Sequence, residues 1–133
     1  MNFRICLVGE KPEKFYIQAI KEYEKRLSRY CKIQLVHQKN AEQLQKKLPD
    51  KAHRILVTPV GQMLSSEELA DKINTLGLSG SSDITIWLGA PDLPHDESIA
   101  LSPLDMDFGL QTTLIFEQIY RSYRILKGEP YHK

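Results

Sequence analysis

The chain has few of the features that place a protein outside the cell or in a membrane. It contains only two cysteines, Cys6 and Cys31, without CxxC spacing or neighbouring histidines. We therefore predict free, buried thiols and neither a disulfide framework nor a zinc site. No apolar run reaches membrane-spanning length, and residues 1–8 are too short for a signal peptide before charge begins at Glu10. We expect a cytoplasmic protein with no membrane association.

The chain also lacks an overall charge and the common catalytic motifs. Lysine and arginine number 18 against 17 aspartates and glutamates, so contact with nucleic acid must come from local basic clusters. No dinucleotide-binding, P-loop, nucleophile-elbow or HExxH pattern is present. The four histidines are scattered along the chain, which favours no metal site. A length of 133 residues predicts one domain, residues 1–133.

Short apolar strands alternate with amphipathic helices along the chain. Ser65 and Glu68 form a capping box at the start of one predicted helix, 65–76. The connections are too long for hairpins, so we predict an α/β fold, a mainly parallel sheet with helices on both faces. The predicted strands are 3–8, 33–37, 55–57 and 84–88. Besides the helix at 65–76, one predicted helix begins near Pro12, and three others cover 41–48, 95–101 and 110–127. A short extended piece is predicted around 104–106.

Basic residues cluster in one place, on the last predicted helix. Arg121, Arg124 and Lys127 are three apart, so they share one face, which leads into the closing residues Gly128-Glu129-Pro130-Tyr131-His132-Lys133. A favourable interaction with the helix dipole would by itself account for the three charges. The aromatic ring, imidazole and ammonium that follow suit contact with a base or a phosphate. Ligands of open parallel sheets usually bind beyond the strand ends, here 58–61, 88–92 and 104–107.

This C-terminal segment resembles the signature of a known family. The run Glu117-Gln118-Ile119-Tyr120-Arg121, with the closing residues 128–133, is similar to the C-terminus of the RlmH family of small bacterial SPOUT-superfamily rRNA pseudouridine methyltransferases. Further similarities are Tyr23 with Arg26 and Leu27, Gly61 followed by 64–70, and Leu88-Gly89. The resemblance covers nearly the whole chain and identifies it as a divergent, shortened member.

The resemblance implies a fold, a cofactor and a reaction. The fold is a SPOUT fold with a C-terminal trefoil knot, the cofactor is S-adenosyl-L-methionine, and the protein is a homodimer in which the partner's tail completes each active site. The implied reaction is methyl transfer to N3 of a pseudouridine in large-subunit (23S) rRNA, in the assembled ribosome. It requires no metal, because it depends on in-line positioning and on loss of the imide proton.

The resemblance also implies roles for individual residues. His132 and Arg121 are the candidate catalytic residues, with His132 orienting the base or removing its proton. Candidate cofactor-binding residues are Thr58, Leu88, Gly89, Ala90, Ser102, Pro103, Leu104, Asp105, Met106 and Asp107. Candidate substrate-binding residues are Arg121, Arg124, Tyr131, His132 and Lys133, and Tyr131 can stack on a base.

Several positions depart from the family pattern. Thr58 and Ala90 replace a leucine and a glycine, and Phe108 and Thr112 replace a histidine and an arginine. The chain is also roughly twenty residues shorter than typical members, and the missing residues would lie around 39–43. The added Asp105 and Asp107 would attract a sulfonium, repel RNA phosphate, or simply belong to a surface turn and a helix cap. These departures leave an alternative open: a SPOUT homodimer that binds RNA or a nucleotide without methylating it. A flavodoxin-like or receiver module would not explain the tail.

Overall fold

A single five-stranded sheet forms the centre of the protein. The computed structural model describes residues 1–132 and contains the strands β1 (Asn2–Val8), β2 (Lys32–Gln38), β3 (His53–Met63), β4 (Asp83–Leu88) and β5 (Glu97–Ala100) and the helices α1 (Lys14–Leu27), α2 (Ala41–Lys47), α3 (Ser66–Leu78) and α4 (Phe108–Leu126). The strand order is β2-β1-β4-β3-β5, and every pair is parallel. The parallel pairing follows from the long connections, and the predicted α/β fold is confirmed.

Three helices cover one face of the sheet and bury most of the core. Phe3, Ile5 and Leu7 of β1 point to this face, because successive strand residues alternate between the two faces. They belong to the same cluster as Phe116 and Ile119 of α4, which are 0% and 1% exposed. Helix α4 lies between α1 and α3 and contacts both. Much of the apolar surface of α4 is therefore buried within the chain itself.

The opposite face carries only the short helix α2. Cys6 and Val8 of β1 point this way and form a second, smaller cluster with Leu44 of α2 and Trp87 of β4. Because α2 has seven residues, it covers a smaller part of the sheet than the three longer helices do. The prediction of helices on both faces is confirmed, with unequal cover on the two sides.

Side-chain caps fix the starts of two helices. The Ser65 hydroxyl accepts a hydrogen bond from the Glu68 backbone N–H, and the Glu68 carboxylate accepts one from the Ser65 N–H, which confirms the predicted capping box. Asp107 caps α4 by accepting from the N–H groups of Gly109 and Leu110 at 2.8 and 3.3 Å. This helix consequently begins at Phe108, two residues before the predicted start.

The helix predicted at 95–101 is wrong. Residues 97–100 form strand β5, which pairs in parallel with β3. The polar residues before Ile99 resembled a helical turn, but the edge of β3 supplies hydrogen bonds that a four-residue helix could not make for itself. The extended piece predicted at 104–106 is also wrong: it is irregular, and the Leu104 N–H donates to the Ser102 hydroxyl.

Both cysteines are free thiols, as predicted. Cys6 is buried, whereas Cys31 is only partly buried. Burial raises the pKa of Cys6 to about 12 and that of Cys31 to about 11, so both thiols stay protonated and unreactive at neutral pH. Within residues 1–132, no helix combines the length and the apolar character that crossing a membrane requires.

Candidate active site

Three loops that carry the candidate cofactor residues follow neighbouring strands of the sheet. Thr58 lies beyond the part of β3 that pairs with β4, residues 88–90 end β4, and residues 102–107 follow β5. Because β4, β3 and β5 are adjacent and parallel, these segments lie at the same edge, beyond the carboxyl ends of the strands. The sheet thus brings together the residues that the sequence assigned to the cofactor.

The turn after β4 has a constrained backbone. Gly89 and Ala90 both have positive φ angles, 84° and 49°, a region that favours glycine. A Cβ atom on Gly89 would lie 2.6 Å from the carbonyl oxygen of Val8, so only glycine lets the ends of β1 and β4 approach. The Ala90 carbonyl accepts hydrogen bonds from the indole N–H of Trp87 and the N–H of Leu93. This turn is therefore held rigidly next to the end of β1.

The segment around Thr58 is a bulge in β3. The pairing of β3 with β5 shifts between Val57 and Gln62, so that both face Ile99. Gly61 permits this arrangement, since a Cβ atom there would lie 2.7 Å from a backbone atom of Ile99. Val60, at the tip of the bulge, is 92% exposed. The bulge thus moves residues 58–61 out of the regular ladder and towards the edge where the other loops lie.

Acidic residues line a cavity beside the third loop. A cavity of about 350 Å³ separates Asp105 and Asp107 from Glu10 and Glu13 of the β1–α1 loop. The Asp107 carboxylate caps α4, which is one of the roles that the sequence left open for it. Asp105 is exposed and makes no hydrogen bond or ion pair among residues 1–132. Lys11 also lines this cavity, but the four carboxylates outnumber it, so the arrangement can attract a positively charged group, such as an ammonium or a sulfonium.

The candidate substrate residues meet at α4. The Arg121 guanidinium donates from Nε and Nη2 to the Glu117 carboxylate, at 3.2 and 3.0 Å, and this contact raises the pKa of Arg121. The Tyr131 hydroxyl donates to the same carboxylate at 2.7 Å. The guanidinium carbon lies 4.7 Å from the centre of the Tyr131 ring, a cation–π contact. One carboxylate therefore positions both the cation and the aromatic ring.

His132 lies between Arg121 and a residue of α3. Its Nδ1 is 3.0 Å from Nη1 of Arg121, and its Nε2 contacts the Glu67 carboxylate. A guanidinium can only donate, so Nδ1 accepts while Nε2–H donates to Glu67. The neutral imidazole satisfies both contacts. The contact with His132 lowers the pKa of Glu67.

A second group of contacts holds the tail, residues 128–132, against α4 and the turn that follows α1. Tyr30 donates to the Glu129 carboxylate at 2.6 Å, and this bond lowers the pKa of Glu129. Arg29 lies 3.2 Å from the same carboxylate. Arg124 donates to the carbonyl of Pro130 at 2.8 Å. Arg124 therefore anchors the tail in this arrangement. Lys133, the last of the candidate substrate residues, lies outside the described residues.

Sequence reasoning missed the acidic partners of these groups. Glu117 is four residues before Arg121 on the same helix, a spacing that predicts an ion pair and could have been used. Glu129 is part of the tail itself. Glu67 gave no signal, because 65 residues separate it from His132. Glu117 and Glu129 pair with two of the three cations of the basic stripe, Arg121 and Arg124, and Glu67 contacts His132.

The two halves of the candidate site are not joined within one chain. In the part of the chain that the structure describes, the hydrogen bonds and ion pairs of the tail side chains go to Tyr30, Arg29, Arg121, Arg124, Glu117 and Glu67. None of them reaches 58, 88–90 or 102–107. Within one chain, the tail is thus bonded to α3, to α4 and to the turn after α1, and not to the candidate cofactor residues.

The family is decided by a match over residues 1–132 to the family model described as "Predicted SPOUT methyltransferase". The chain belongs to this SPOUT methyltransferase family. A relative from Thermoanaerobacter sp. (strain X514), called "Ribosomal RNA large subunit methyltransferase H 1", is 51% identical over 133 residues, with both chains covered completely. The resemblance recognised in the sequence is confirmed, and the protein is an enzyme of the methyltransferase class.

Longer SPOUT methyltransferases are also similar to this chain. Relatives called "Ribosomal RNA large subunit methyltransferase H" from Alkaliphilus oremlandii (strain OhILAs) and Desulforamulus reducens are 37% and 38% identical over 159 residues. The alignments cover all of this chain and 100% and 99% of the relatives. The alignment with the Thermoanaerobacter protein spans only 133 residues, so that SPOUT methyltransferase shares the short form.

Proposed function

We propose that this protein transfers a methyl group from S-adenosyl-L-methionine to N3 of a pseudouridine in large-subunit (23S) rRNA. The observation that carries the proposal is the cluster in which Glu117 positions Arg121 and Tyr131 beside His132. A cation, an aromatic ring and an imidazole are the groups expected to hold a nucleotide. The names of the relatives support the RNA class, and the family supports the methyl donor.

The residues at the strand ends fit the proposed cofactor. S-Adenosylmethionine supplies an electrophilic methyl group on a positively charged sulfonium when it is bound. Asp105, with Glu10 and Glu13 across the cavity, would complement that positive charge, although Lys11 of the same lining opposes it. Thr58, Leu88 to Ala90 and Ser102 to Asp107 would hold the cofactor from three adjacent loops. The rigid turn at Gly89 offers backbone groups at a fixed position.

The tail residues would bind and orient the nucleotide. Arg121 and Arg124, with Lys133, would engage phosphates, and Tyr131 would stack on a base. Methylation at N3 requires that the imide proton leaves, and His132 is our candidate for orienting the base or accepting that proton. Both ring nitrogens of His132 are engaged by Arg121 and Glu67. Proton acceptance would therefore require release from Arg121.

The proposal includes a homodimer with a C-terminal trefoil knot, in which one chain's tail completes the partner's cofactor half. The separation of the two halves within one chain supports a composite site of this kind. A dimer with twofold symmetry would contain two identical sites of this kind. The assembled ribosome or its large-subunit rRNA would then be the partner, in the cytoplasm, with no metal and no membrane.

One observation favours a second function, RNA or nucleotide binding without methyl transfer. Ala90 occupies the position where the sequence pattern of the family has a glycine, and its Cβ adds bulk at the turn that would hold the cofactor. Calorimetric titration with S-adenosylmethionine separates the two functions. Binding supports methyl transfer, whereas no binding at millimolar cofactor would leave only the non-catalytic function.

The tail provides the sharper test of the proposed division of labour. We expect deletion of 131–133 to abolish methyl transfer to RNA, because it removes the groups that hold the nucleotide. S-Adenosylmethionine should still bind, since the cofactor half is unchanged. Transfer of a radiolabelled methyl group and calorimetry measure the two properties, and size-exclusion chromatography controls for the dimer. An equal loss of both would refute the division.

A further inference from the structure

A second cavity lies on the α2 side of the sheet, away from the three long helices. Its volume is about 440 Å³. The lining residues are Arg4, Cys6, Gln34, Val36, Gln38, Leu44, Lys47, Leu48 and Thr85. None of the candidate cofactor or substrate residues lines it. This cavity, called the α2 cavity below, is therefore a feature that the proposed methyl transfer does not use.

The floor of the α2 cavity is a row of polar side chains across three strands. Arg4 of β1 is in register with Gln34 of β2 on one side and with Thr85 of β4 on the other. Residues in register in a parallel sheet project to the same face, and all three line the same cavity. Gln34 is exposed and Arg4 is partly exposed, but Thr85 is fully buried, where strand residues are normally apolar, so the buried end of this row calls for an explanation.

Two polar atoms in this row are buried without a partner. Nη1 of Arg4 and Oγ1 of Thr85 are inaccessible to solvent and form no hydrogen bond among residues 1–132. Thr85 as a whole is 0% exposed. Buried polar groups in folded proteins are nearly always satisfied, because leaving them unpaired costs stability. Both residues line the cavity, so a ligand there would reach these atoms by displacing the side chains that now cover them.

Nothing described in the chain neutralises the Arg4 guanidinium. No carboxylate of residues 1–132 lies within 4.0 Å of it, in contrast to Arg26, Arg29, Arg121 and Arg124, which all have acidic partners. The neighbouring Cys6 thiol stays protonated because burial raises its pKa to about 12. The cavity has a second cation, Lys47 of α2, and no acidic lining residue. Its charge is therefore positive.

We propose that the α2 cavity binds a small phosphate monoester. The two positive charges of Arg4 and Lys47 match the dianion, and the planar guanidinium and the Thr85 hydroxyl supply donors for its oxygens. Val36, Leu44 and Leu48 form an apolar wall that suits a small carbon skeleton. The site does not depend on the proposed methyl transfer, and either can fail without the other.

The test is calorimetric titration of the full chain with phenyl phosphate and with inorganic phosphate, at an ionic strength held constant with potassium chloride. We expect both to bind, and phenyl phosphate to bind more tightly because its ring contacts the apolar wall. Arg4→Met should weaken the binding of phenyl phosphate by about tenfold or more, the effect of losing one charged hydrogen bond. Thr85→Val and Lys47→Met should also weaken it.

Arg54→Met is the matched control. Arg54 is in register with Thr85 on β3, so the change removes the same charge from the next position of the row, yet Arg54 does not line the cavity. Its affinity for phenyl phosphate should equal that of the wild type. Lys47 is exposed on a surface helix, so Lys47→Met keeps the test valid even if the strand variants fail to fold.

Three results would overturn the proposal. The first is no binding of phenyl phosphate by the wild-type chain. The second is an equal loss in Arg4→Met and Arg54→Met, which would indicate a general effect of surface charge. The third concerns the source of the phosphate: if a short RNA with hydroxyl ends displaces phenyl phosphate and binds as tightly, the cavity recognises the RNA backbone and not a small monoester.

Discussion

At the residue scale, Ala90 combines a strained backbone with a position beside the proposed cofactor. Left-handed backbone costs a non-glycine residue roughly 1–2 kcal/mol. A glycine would avoid that cost. Its greater conformational freedom in the unfolded chain would, however, lower the free energy of unfolding by about 0.4–1 kcal/mol. The Ala90 position is thus mildly unfavourable for stability, and its Cβ narrows the approach to the turn.

We predict that Ala90→Gly raises the free energy of unfolding by up to about 1 kcal/mol. The same change should strengthen the binding of S-adenosylmethionine, because it removes a methyl group from the turn. Thermal denaturation and calorimetry measure the two effects. Gly89→Ala is the control. It should lower the free energy of unfolding, since the new Cβ would lie 2.6 Å from the Val8 carbonyl oxygen. Unchanged or weaker cofactor binding in Ala90→Gly would show that Ala90 is not at the cofactor.

Glu117 is the residue on which the substrate half depends. Its carboxylate accepts from Arg121, Tyr131 and Gln118 and is only 14% exposed. Glu117→Gln keeps the shape but replaces one acceptor oxygen with a donor and removes the charge. We predict about a tenfold loss of methyl transfer to rRNA, the effect of one lost charged hydrogen bond, with unchanged cofactor binding.

Glu22→Gln provides the comparison for this prediction. Glu22 also pairs with an arginine four residues later, Arg26, but both side chains are about half exposed. Exposed pairs contribute little, so this variant should behave like the wild type. If both variants lose the same activity, the loss reflects helix charge in general and Glu117 has no special positioning role.

At the element scale, the tail is held by carboxylates whose protonation would release it. Hydrogen bonds from His132 and Tyr30 lower the pKa values of Glu67 and Glu129 below 4.5. Lowered carboxyl pKa values stabilise docking above about pH 4.5, and this contribution is lost as the pH falls through the lowered values. The tail should therefore be docked at neutral pH and released in acid.

We predict that the amide NMR signals of Glu129, Tyr131 and His132 shift together on acidification below about pH 4.5. Glu67→Gln should remove part of this dependence, whereas Glu42→Gln, on the surface of α2, should leave it unchanged. Signals that stay constant down to about pH 3 would contradict the account of how the tail is held.

The elements differ in how far the sequence predicts them. The capping box of α3 and the apolar periodicity of α1 are local patterns, so both helices could be predicted from neighbouring residues. Strand β5 could not, because four residues have no clear period and become a strand only by pairing with β3. The start of α4 depended on whether Asp107 capped it, which the residue type alone left open.

The candidate site shows the same division between local and distant information. Tyr131, His132 and Arg121 were recognisable because they lie in one specific sequence signature. The contact of His132 with Glu67 was not, since it joins residues far apart in the chain. The sequence could place the three candidate cofactor segments at one edge, because the sheet was predicted to be parallel, but it gave no sign of the positive φ at Ala90.

At the scale of the whole molecule, the candidate substrate residues and the candidate cofactor residues form no hydrogen bond or ion pair with each other among residues 1–132. The proposed composite site in a homodimer would bring them together. The broad apolar arc of α4 is mostly used inside the chain, between α1 and α3, so the remaining partly buried residues would form the interface. Membership of the SPOUT methyltransferase family connects these observations to methyl transfer.

The most direct test of methyl transfer is mass spectrometry of large-subunit rRNA from a strain that lacks this gene. We predict that one methyl group on a pseudouridine is lost, that the wild-type gene restores it, and that a gene lacking codons 131–133 does not. An rRNA methylation pattern that is unchanged in the deletion strain would contradict the proposed function.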